Sequence, residues 1–241
     1  PGGPGAPADG GAQRGAAAVS GRLIVLDGLD GSGKHTQAQL LLGRLEAAGL
    51  PVKAVSFPDY AQPSSALVRA FLAGEFGGAD QVNANAASTF YAVDRYASYR
   101  KFWQRDYLAG GVILADRYAT SNLIHQMPKL PPSQRPEFAR WLEEYEYEKL
   151  GLPRPDLVLY LDMHPEVSRA LLDKRYGGDP AKRDIHEADL QYLLRCRECA
   201  LQAAGLQGWR VIPCSDAQAP FPQEEIAGEI WDAVQEILRK L

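Results

Sequence analysis

The segment Gly28-Leu29-Asp30-Gly31-Ser32-Gly33-Lys34 lies between an apolar run at residues 23–26 and a helical pattern with apolar residues at Ala38, Leu41, Leu42, Leu45 and Ala48, which closes at Gly49. A glycine-rich turn at such a junction constrains both fold and ligand. Its backbone N–H groups can wrap around phosphate oxygens, the following helix points the positive end of its dipole at them, and Lys34 adds a full charge. The bland alternative is an ordinary strand-to-helix turn. The apolar run before it and the helical pattern after it favour a phosphate-cradling loop, with a nucleoside triphosphate as its ligand.

One position departs from the usual form of this loop. His35 occupies the slot where Ser or Thr normally offers a hydroxyl to magnesium, a hard ion that prefers oxygen and keeps its waters. Thr36 has a hydroxyl, but one residue along a helix turns a side chain by about 100°. A magnesium site here needs carboxylates and water, and a degenerate loop that binds nucleotide without turning it over is the alternative His35 leaves open.

The chain of 241 residues, 46% hydrophobic and 23% charged, can build one sizeable core, and a single domain over residues 21–241 is expected. Its net charge of −4 argues against a broad basic surface gripping nucleic acid, and small phosphorylated ligands fit better. Cys196, Cys199 and Cys214 lack the paired spacing of a structural zinc site, and free thiols point to a reducing compartment. With no apolar run of membrane-spanning length, a soluble cytoplasmic protein is expected, not one held at a membrane. Residues 1–20 are mostly Gly, Ala and Pro, with one Arg and no apolar stretch, which predicts an unstructured tail and not a signal peptide.

Apolar strand-like runs recur at residues 23–26, 52–57, 112–115, 157–161 and 210–213, with helical segments between them. That alternation predicts an α/β fold: a five-stranded parallel sheet with helices on both faces and ligands at the carboxyl ends of the strands. Asp116 ends the third run, where its carboxylate could hold a magnesium-bound water, and Arg117 beside it could clamp a phosphate. Tyr91 and Arg95 stand four apart in a helical segment and could stack on and hydrogen-bond a base. Lys174, Arg175, Lys182 and Arg183 flank a Gly/Pro turn that could close over transferring phosphates. Each has an ordinary reading as turn, packing or solvated surface, and their coincidence on one rim carries the weight. Residues 127–136 read as an exposed loop, residues 137–150 as a helix with an acidic, solvated outer face, and residues 74–78 as a loop; none of these receives a chemical role.

Taken together, Gly28 through Thr36, Phe57-Pro58-Asp59-Tyr60, Phe90-Tyr91-Ala92-Val93-Asp94-Arg95, Ala115-Asp116-Arg117-Tyr118-Ala119-Thr120-Ser121-Asn122, Leu152-Pro153-Arg154-Pro155-Asp156 and Asp184-Ile185-His186-Glu187 resemble the thymidylate kinase family of nucleoside monophosphate kinases. The resemblance covers residues 22–241, and the Asp-Arg-Tyr-x-x-Ser-Asn run is its most specific part. It implies a three-layer P-loop NTPase-type fold with a mobile lid at about residues 173–186, and a homodimer in which ATP and Mg²⁺ convert dTMP to dTDP.

By the same resemblance, Lys34 would stabilise the transferred phosphoryl group, while Asp30 would sit near magnesium and the acceptor phosphate, with Asp116 as the second metal candidate. Gly28, Leu29, Gly31, Ser32, Gly33, His35 and Thr36 would complete the ATP loop. Leu29, Asp30, Gly31 and Ser32 include no arginine, so the catalytic arginine is expected from the lid, Arg183 first and Arg175 second. On the acceptor side, Phe57 and Tyr60 would line the pocket, Tyr91 would lie against thymine and Arg95 would bond its edge. Arg117 would hold the acceptor phosphate, Ser121 and Asn122 would line the nucleotide pocket, and Glu187 would fix the acceptor side on lid closure. Some family members carry a basic residue followed by Thr after the loop lysine, which lessens the weight of His35. His125 lies where a Tyr is common near the sugar's 2′ face, an exchange that bears on rejection of ribonucleotides.

The expected mechanism is positioning and charge neutralisation: two nucleotides held end to end, with Lys34, Arg183 and Mg²⁺ spreading the charge of an in-line transfer. The alternatives are a related kinase acting on dUMP, UMP or CMP, and a non-catalytic nucleotide-binding module.

Overall fold

A strand can be apolar at every position only where both of its faces are covered. The computed structural model, which describes residues 21–78, 80–176 and 190–239, builds this arrangement. Strands β1 (Arg22–Gly28), β2 (Val52–Ser56), β3 (Val112–Asp116), β4 (Leu157–Asp162) and β5 (Arg210–Pro213) form one all-parallel sheet in the order β2-β3-β1-β4-β5. Helices α1 (Lys34–Ala47), α2 (Ala66–Leu72), α3 (Ala84–Ser98), α4 (Gln104–Leu108), α5 (Thr120–His125), α6 (Arg135–Glu143), α7 (Pro165–Tyr176), α8 (Leu190–Gln207) and α9 (Gln223–Leu238) surround it.

The period of two along β1 sorts the core into two layers. Leu23 and Val25 pack with Leu123 and Ile124 of α5 and with Cys196 and Ala200 of α8. Ile24 and Leu26 pack with Leu41 and Leu45 of α1 and with Ile226 and Ile230 of α9. The expected three-layer P-loop-type architecture is therefore present, and the cysteines belong to its core. Burial pushes their thiols up, Cys196 and Cys214 to about 12 and Cys199 to about 11. Among the described residues, no helix is long and apolar enough to cross a membrane.

Topology decides where a ligand can sit. The chain leaves β1 toward β2 on one side, and leaves β3 toward β4 on the other, so the crevice opens between the carboxyl ends of β1 and β3. Those ends are the glycine-rich loop and Asp116-Arg117. Strand β1 runs two residues beyond the apolar stretch because Asp27 and Gly28 continue the ladder opposite Tyr160 and Leu161 of β4.

Two sequence expectations need correction. Residues 127–136 are exposed at 131–134 and 136 but not throughout: they form two 3₁₀ turns, Met127–Lys129 and Pro132–Gln134, with Met127 and Arg135 buried. Residues 137–150 do not form one helix with a solvated acidic face. After α6 the chain continues as a π-helix, Glu144–Lys149, and Glu146 is fully buried. A second π-segment, Tyr99–Trp103, joins α3 to α4. The expected tail at residues 1–20, and the lid beyond Tyr176 up to residue 189, lie outside the described residues.

Two glycines of the loop make contrasting demands. Gly31, at φ 77, abuts α7, where an added Cβ would meet Ser168 O at 2.6 Å and Leu172 Cγ at 2.9 Å. Gly33, at φ 83, would place a Cβ in open space. Gly33→Ala should therefore lose only the left-handed backbone preference, about 1 kcal/mol, whereas Gly31→Ala should lose about 2 kcal/mol or more by adding a backbone clash. Equilibrium urea unfolding of the two variants measures the difference.

Candidate active site

Helix α1 starts at Lys34 directly after Gly33, whose left-handed conformation turns the chain into the helix without a side-chain cap. The bond from Gln37 N to Gly33 O, 3.0 Å, opens the helical ladder, so the Lys34, His35 and Thr36 amides ahead of it have no i−4 partner and can face an anion, whereas Ser32 N donates to Leu29 O at 3.2 Å. Lys34 folds back across the loop: its Nζ donates to Leu29 O at 2.9 Å and lies 3.8 Å from Asp30. A cavity of about 380 Å³ opens from this nest across the crevice. Asp30, Gly31, Gly33, Lys34, His35 and Thr36 line its loop side; Phe57, Tyr60, Tyr91, Arg95, Asp116, Arg117, Ser121, Asn122 and His125 line the opposite side. Gly28, Leu29 and Ser32 lie behind that lining: Leu29 is a core side chain, and Ser32 is buried under the loop.

The two sides meet at Arg117, a non-glycine residue at φ 66. Its Nη2 donates to Asp30 Oδ1 at 2.5 Å, and its Nη1 lies 3.5 Å from Asp27 Oδ1 and 3.1 Å from His125 Nε2. Because a guanidinium only donates, His125 Nε2 accepts, and the ring proton falls to Nδ1, which faces Cys196 Sγ at 4.0 Å. Asp27 stands on the same side of β1 as Leu23 and Val25, toward α5, and there its carboxylate accepts from Thr120 Oγ1, Ser121 Oγ and Gly28 N. Burial pushes its carboxyl up, against the pull of Arg117, Thr120, Lys34 and Ser121. Asp30 is held well below the usual carboxylate range: burial works against its charge, but Arg117 and Lys34 outweigh burial. Lys34 is pushed down to about 8 by burial and by the Arg117 charge, only partly offset by Asp30, Asp116 and Asp27.

The far wall carries the second arginine. Arg95 is buried and pairs in bidentate fashion with Glu146, Nε to Oε2 at 3.0 Å and Nη2 to Oε1. Burial opposes the Arg95 charge, yet Glu146 reverses that and raises its pKa. Tyr91 stands one turn earlier on α3 with its ring edge-on to Phe71, centroids 6.5 Å apart. Between them, buried Asp94 accepts from Asp59 N at 2.8 Å and Ser64 Oγ at 2.6 Å, and so pins the loop that carries Phe57 and Tyr60.

The cavity thus gathers most of the expected residues, with two qualifications. Ser121 lines it, but its hydroxyl is committed to Asp27, and Asn122 reaches Glu146 at 3.5 Å. Arg183 and Glu187 lie outside the described residues; Arg175 belongs to α7, but its side chain also lies outside them. Sequence reasoning missed Asp27, Asp94 and Glu146. For Glu146 a signal existed: it extends the buried positions Arg135, Phe138 and Leu142 at helical spacing, a carboxylate on an otherwise inward stripe. Chemically, the arrangement provides an anion nest with an ammonium at one end of a cavity, a guanidinium clamp at its middle, and an aromatic and a neutralised arginine at the other.

An anion in the nest would restore the charge of Lys34. Charged Lys34 is also a cost to the folded state below about pH 8, one that falls away as pH rises toward its usual 10.5. At pH 8.5, ATP binding should therefore draw a proton onto the protein, read as a buffer-dependent heat in calorimetry with two buffers of different ionisation enthalpy. Lys34→Met should abolish that uptake.

The family model described as thymidylate kinase matches residues 26–221. Among curated relatives, the thymidylate kinase of Mycobacterium tuberculosis is 32% identical over 191 residues, covering 78% of this chain and 87% of that protein. The thymidylate kinase of Arabidopsis thaliana is 28% identical over 216 residues, covering 90% and 73%. A solved thymidylate kinase from Candida albicans shares the fold with a TM-score of 0.64 at 22% identity, covering 90% of this chain and 92% of that one. Since the family match runs from the end of β1 through β5 and includes the loops of the rim, the chain belongs to the thymidylate kinase family.

Proposed function

We propose that the protein transfers the γ-phosphoryl group of ATP to dTMP, giving dTDP. The observation that carries this reading is the single cavity wall on which an uncapped helix start with Lys34 faces Arg117, Tyr91 and Arg95. Anion-binding groups line the loop side of the cavity and aromatic surface lines the opposite side, an arrangement that suits two nucleotides held end to end. ATP phosphates occupy the nest, Lys34 leaves the Leu29 carbonyl for the transferring phosphoryl group, and Arg117 holds the acceptor phosphate. Tyr91 stacks on the base, and Phe57 and Tyr60 close the pocket around the nucleoside. Arg183 and Glu187, with Arg175 as second choice, keep their proposed lid roles.

The donor set suits a hard cation. Asp116 and Asp30 both present carboxylates to the cavity, and both contacts that Asp30 makes with Lys34 and Arg117 fall on Oδ1, leaving Oδ2. These two residues would hold Mg²⁺ with water and phosphate oxygens, whereas His35 lies on the wall without an oxygen to give. Magnesium, when bound, neutralises charge on the phosphates being exchanged. Lys34 and Arg117 do the same from opposite sides, and the fixed Asp27 and Asp30 keep Arg117 from swinging as charge moves.

Leu67, Val93, Tyr96 and Phe102 are large apolar side chains exposed on α2, α3 and the following π-segment, which supports a homodimer. Three free, buried cysteines suit a reducing compartment such as the cytoplasm.

A coupled assay of purified protein with ATP, Mg²⁺ and a panel of dTMP, dUMP, UMP and CMP tests the reaction. The expected result is dTDP formation with dTMP preferred, and a loss of about 10²- to 10³-fold in kcat for Lys34→Ala and for Arg117→Ala. Nucleotide binding by calorimetry with no turnover of any acceptor would instead support a non-catalytic module.

A further inference from the structure

Glu146 is a fully buried carboxylate with no part in moving phosphate, and it stands directly behind the base end of the cavity. Its Oε2 accepts from Arg95 Nε at 3.0 Å; its Oε1 accepts from Arg95 Nη2 and, at 3.5 Å, from Asn122 Nδ2. Two parallel bonds fix the plane of the guanidinium. The nitrogen left over is Nη1, whose protein partner is the carbonyl of Tyr118 at 3.5 Å, and Arg95 lines the cavity.

Packing alone is a poor reason for this arrangement. Replacing a buried ion pair by apolar residues of similar volume is commonly neutral or stabilising. Glu146 also sits in a π-segment, an irregularity that recurs at functional sites and here interrupts the helix beside the pocket. Neutralisation has a further consequence: an Arg95 whose charge is matched does not compete with Arg117 for the acceptor phosphate, so the two ends of the nucleotide are told apart.

We propose that Glu146 is a positioning residue that holds Arg95 with its Nη1 edge toward the acceptor base, and thereby selects bases presenting a carbonyl at that edge over those presenting an amino group. This rests on the nucleoside monophosphate kinase reading above. A carbonyl oxygen accepts from Nη1, whereas an amino group sets N–H against N–H and leaves a buried donor unpaired.

The test compares dTMP with 5-methyl-dCMP, which keeps the methyl group, sugar and phosphate, exchanges the carbonyl for an amino group and turns the neighbouring N3 from donor to acceptor, so the change in preference on mutating Glu146 carries the test. The wild type should favour dTMP by about 10²-fold or more in kcat/KM. Glu146→Gln should raise the KM for dTMP about tenfold with kcat and the KM for ATP nearly unchanged, and should narrow the preference over 5-methyl-dCMP. Glu146→Asp, which keeps the charge, should recover part of both. A folded Glu146→Gln protein with wild-type KM and wild-type preference overturns the proposal, and so does a variant that only melts earlier. A wild type silent toward both nucleotides overturns the kinase reading itself. If neither variant folds, the wild type decides by NMR. The Arg95 Nη1 protons, resolved from Nη2 because the ion pair stops rotation, should shift with dTMP and not with 5-methyl-dCMP; no shift with dTMP overturns the proposal.

Discussion

One guanidinium joins the parts of this molecule that must keep register for nucleotides to meet. The Arg117 backbone N–H donates to Leu26 O of β1 at 2.9 Å, while its side chain reaches Asp30 in the loop, Asp27 in β1 and His125 at the end of α5. Its positive φ, which costs a non-glycine residue about 1 kcal/mol or more, persists because these contacts over-determine it. The loop, the rim of β3 and α5 are therefore referenced to a common point. Lys34 shares the field, and the three carboxylates Asp27, Asp30 and Asp116 let two cations stand in one crevice.

The two arginines of the cavity illustrate how environment assigns different work to one side chain. Arg95 is closed in and matched by one carboxylate in good geometry, so it behaves as a rigid, neutralised donor. Arg117 is partly exposed among several carboxylates, and its pKa is raised by Asp30, Asp27 and Asp116 against the cost of burial. A phosphate approaching the crevice meets a cation whose partners are already shared. That asymmetry orients a small anionic nucleotide without any large basic surface, in keeping with a chain of net charge −4.

What was legible in the sequence follows from which signals are local. Continuous apolar runs announced buried parallel strands, and glycine spacing after residues 23–26 announced the nest, because both depend on neighbours in the chain. Tyr91 and Arg95 fell on one helical face as their spacing requires. Asp27 was hidden because its role comes from the continued ladder with β4 and from α5, nearly a hundred residues away. Glu146 was hidden by composition: four glutamates among residues 143–148 look like a solvated face, and only the inward stripe through Phe138 and Leu142 sets one of them apart. The turn at 127–129 was misread because a proline that suggests an exposed loop also starts a tight 3₁₀ turn, here one that buries Met127.

The sulfur atoms packed between α8 and the sheet, and at the end of β5, lend the molecule an internal gauge. Thiol reagents attack the thiolate, and these three groups stay protonated and shielded at neutral pH while the layers remain closed. The rate of alkylation at Cys196 and Cys199 thus counts excursions in which α8 lifts from the strands, and any ligand that draws the crevice together should lengthen the wait between such openings.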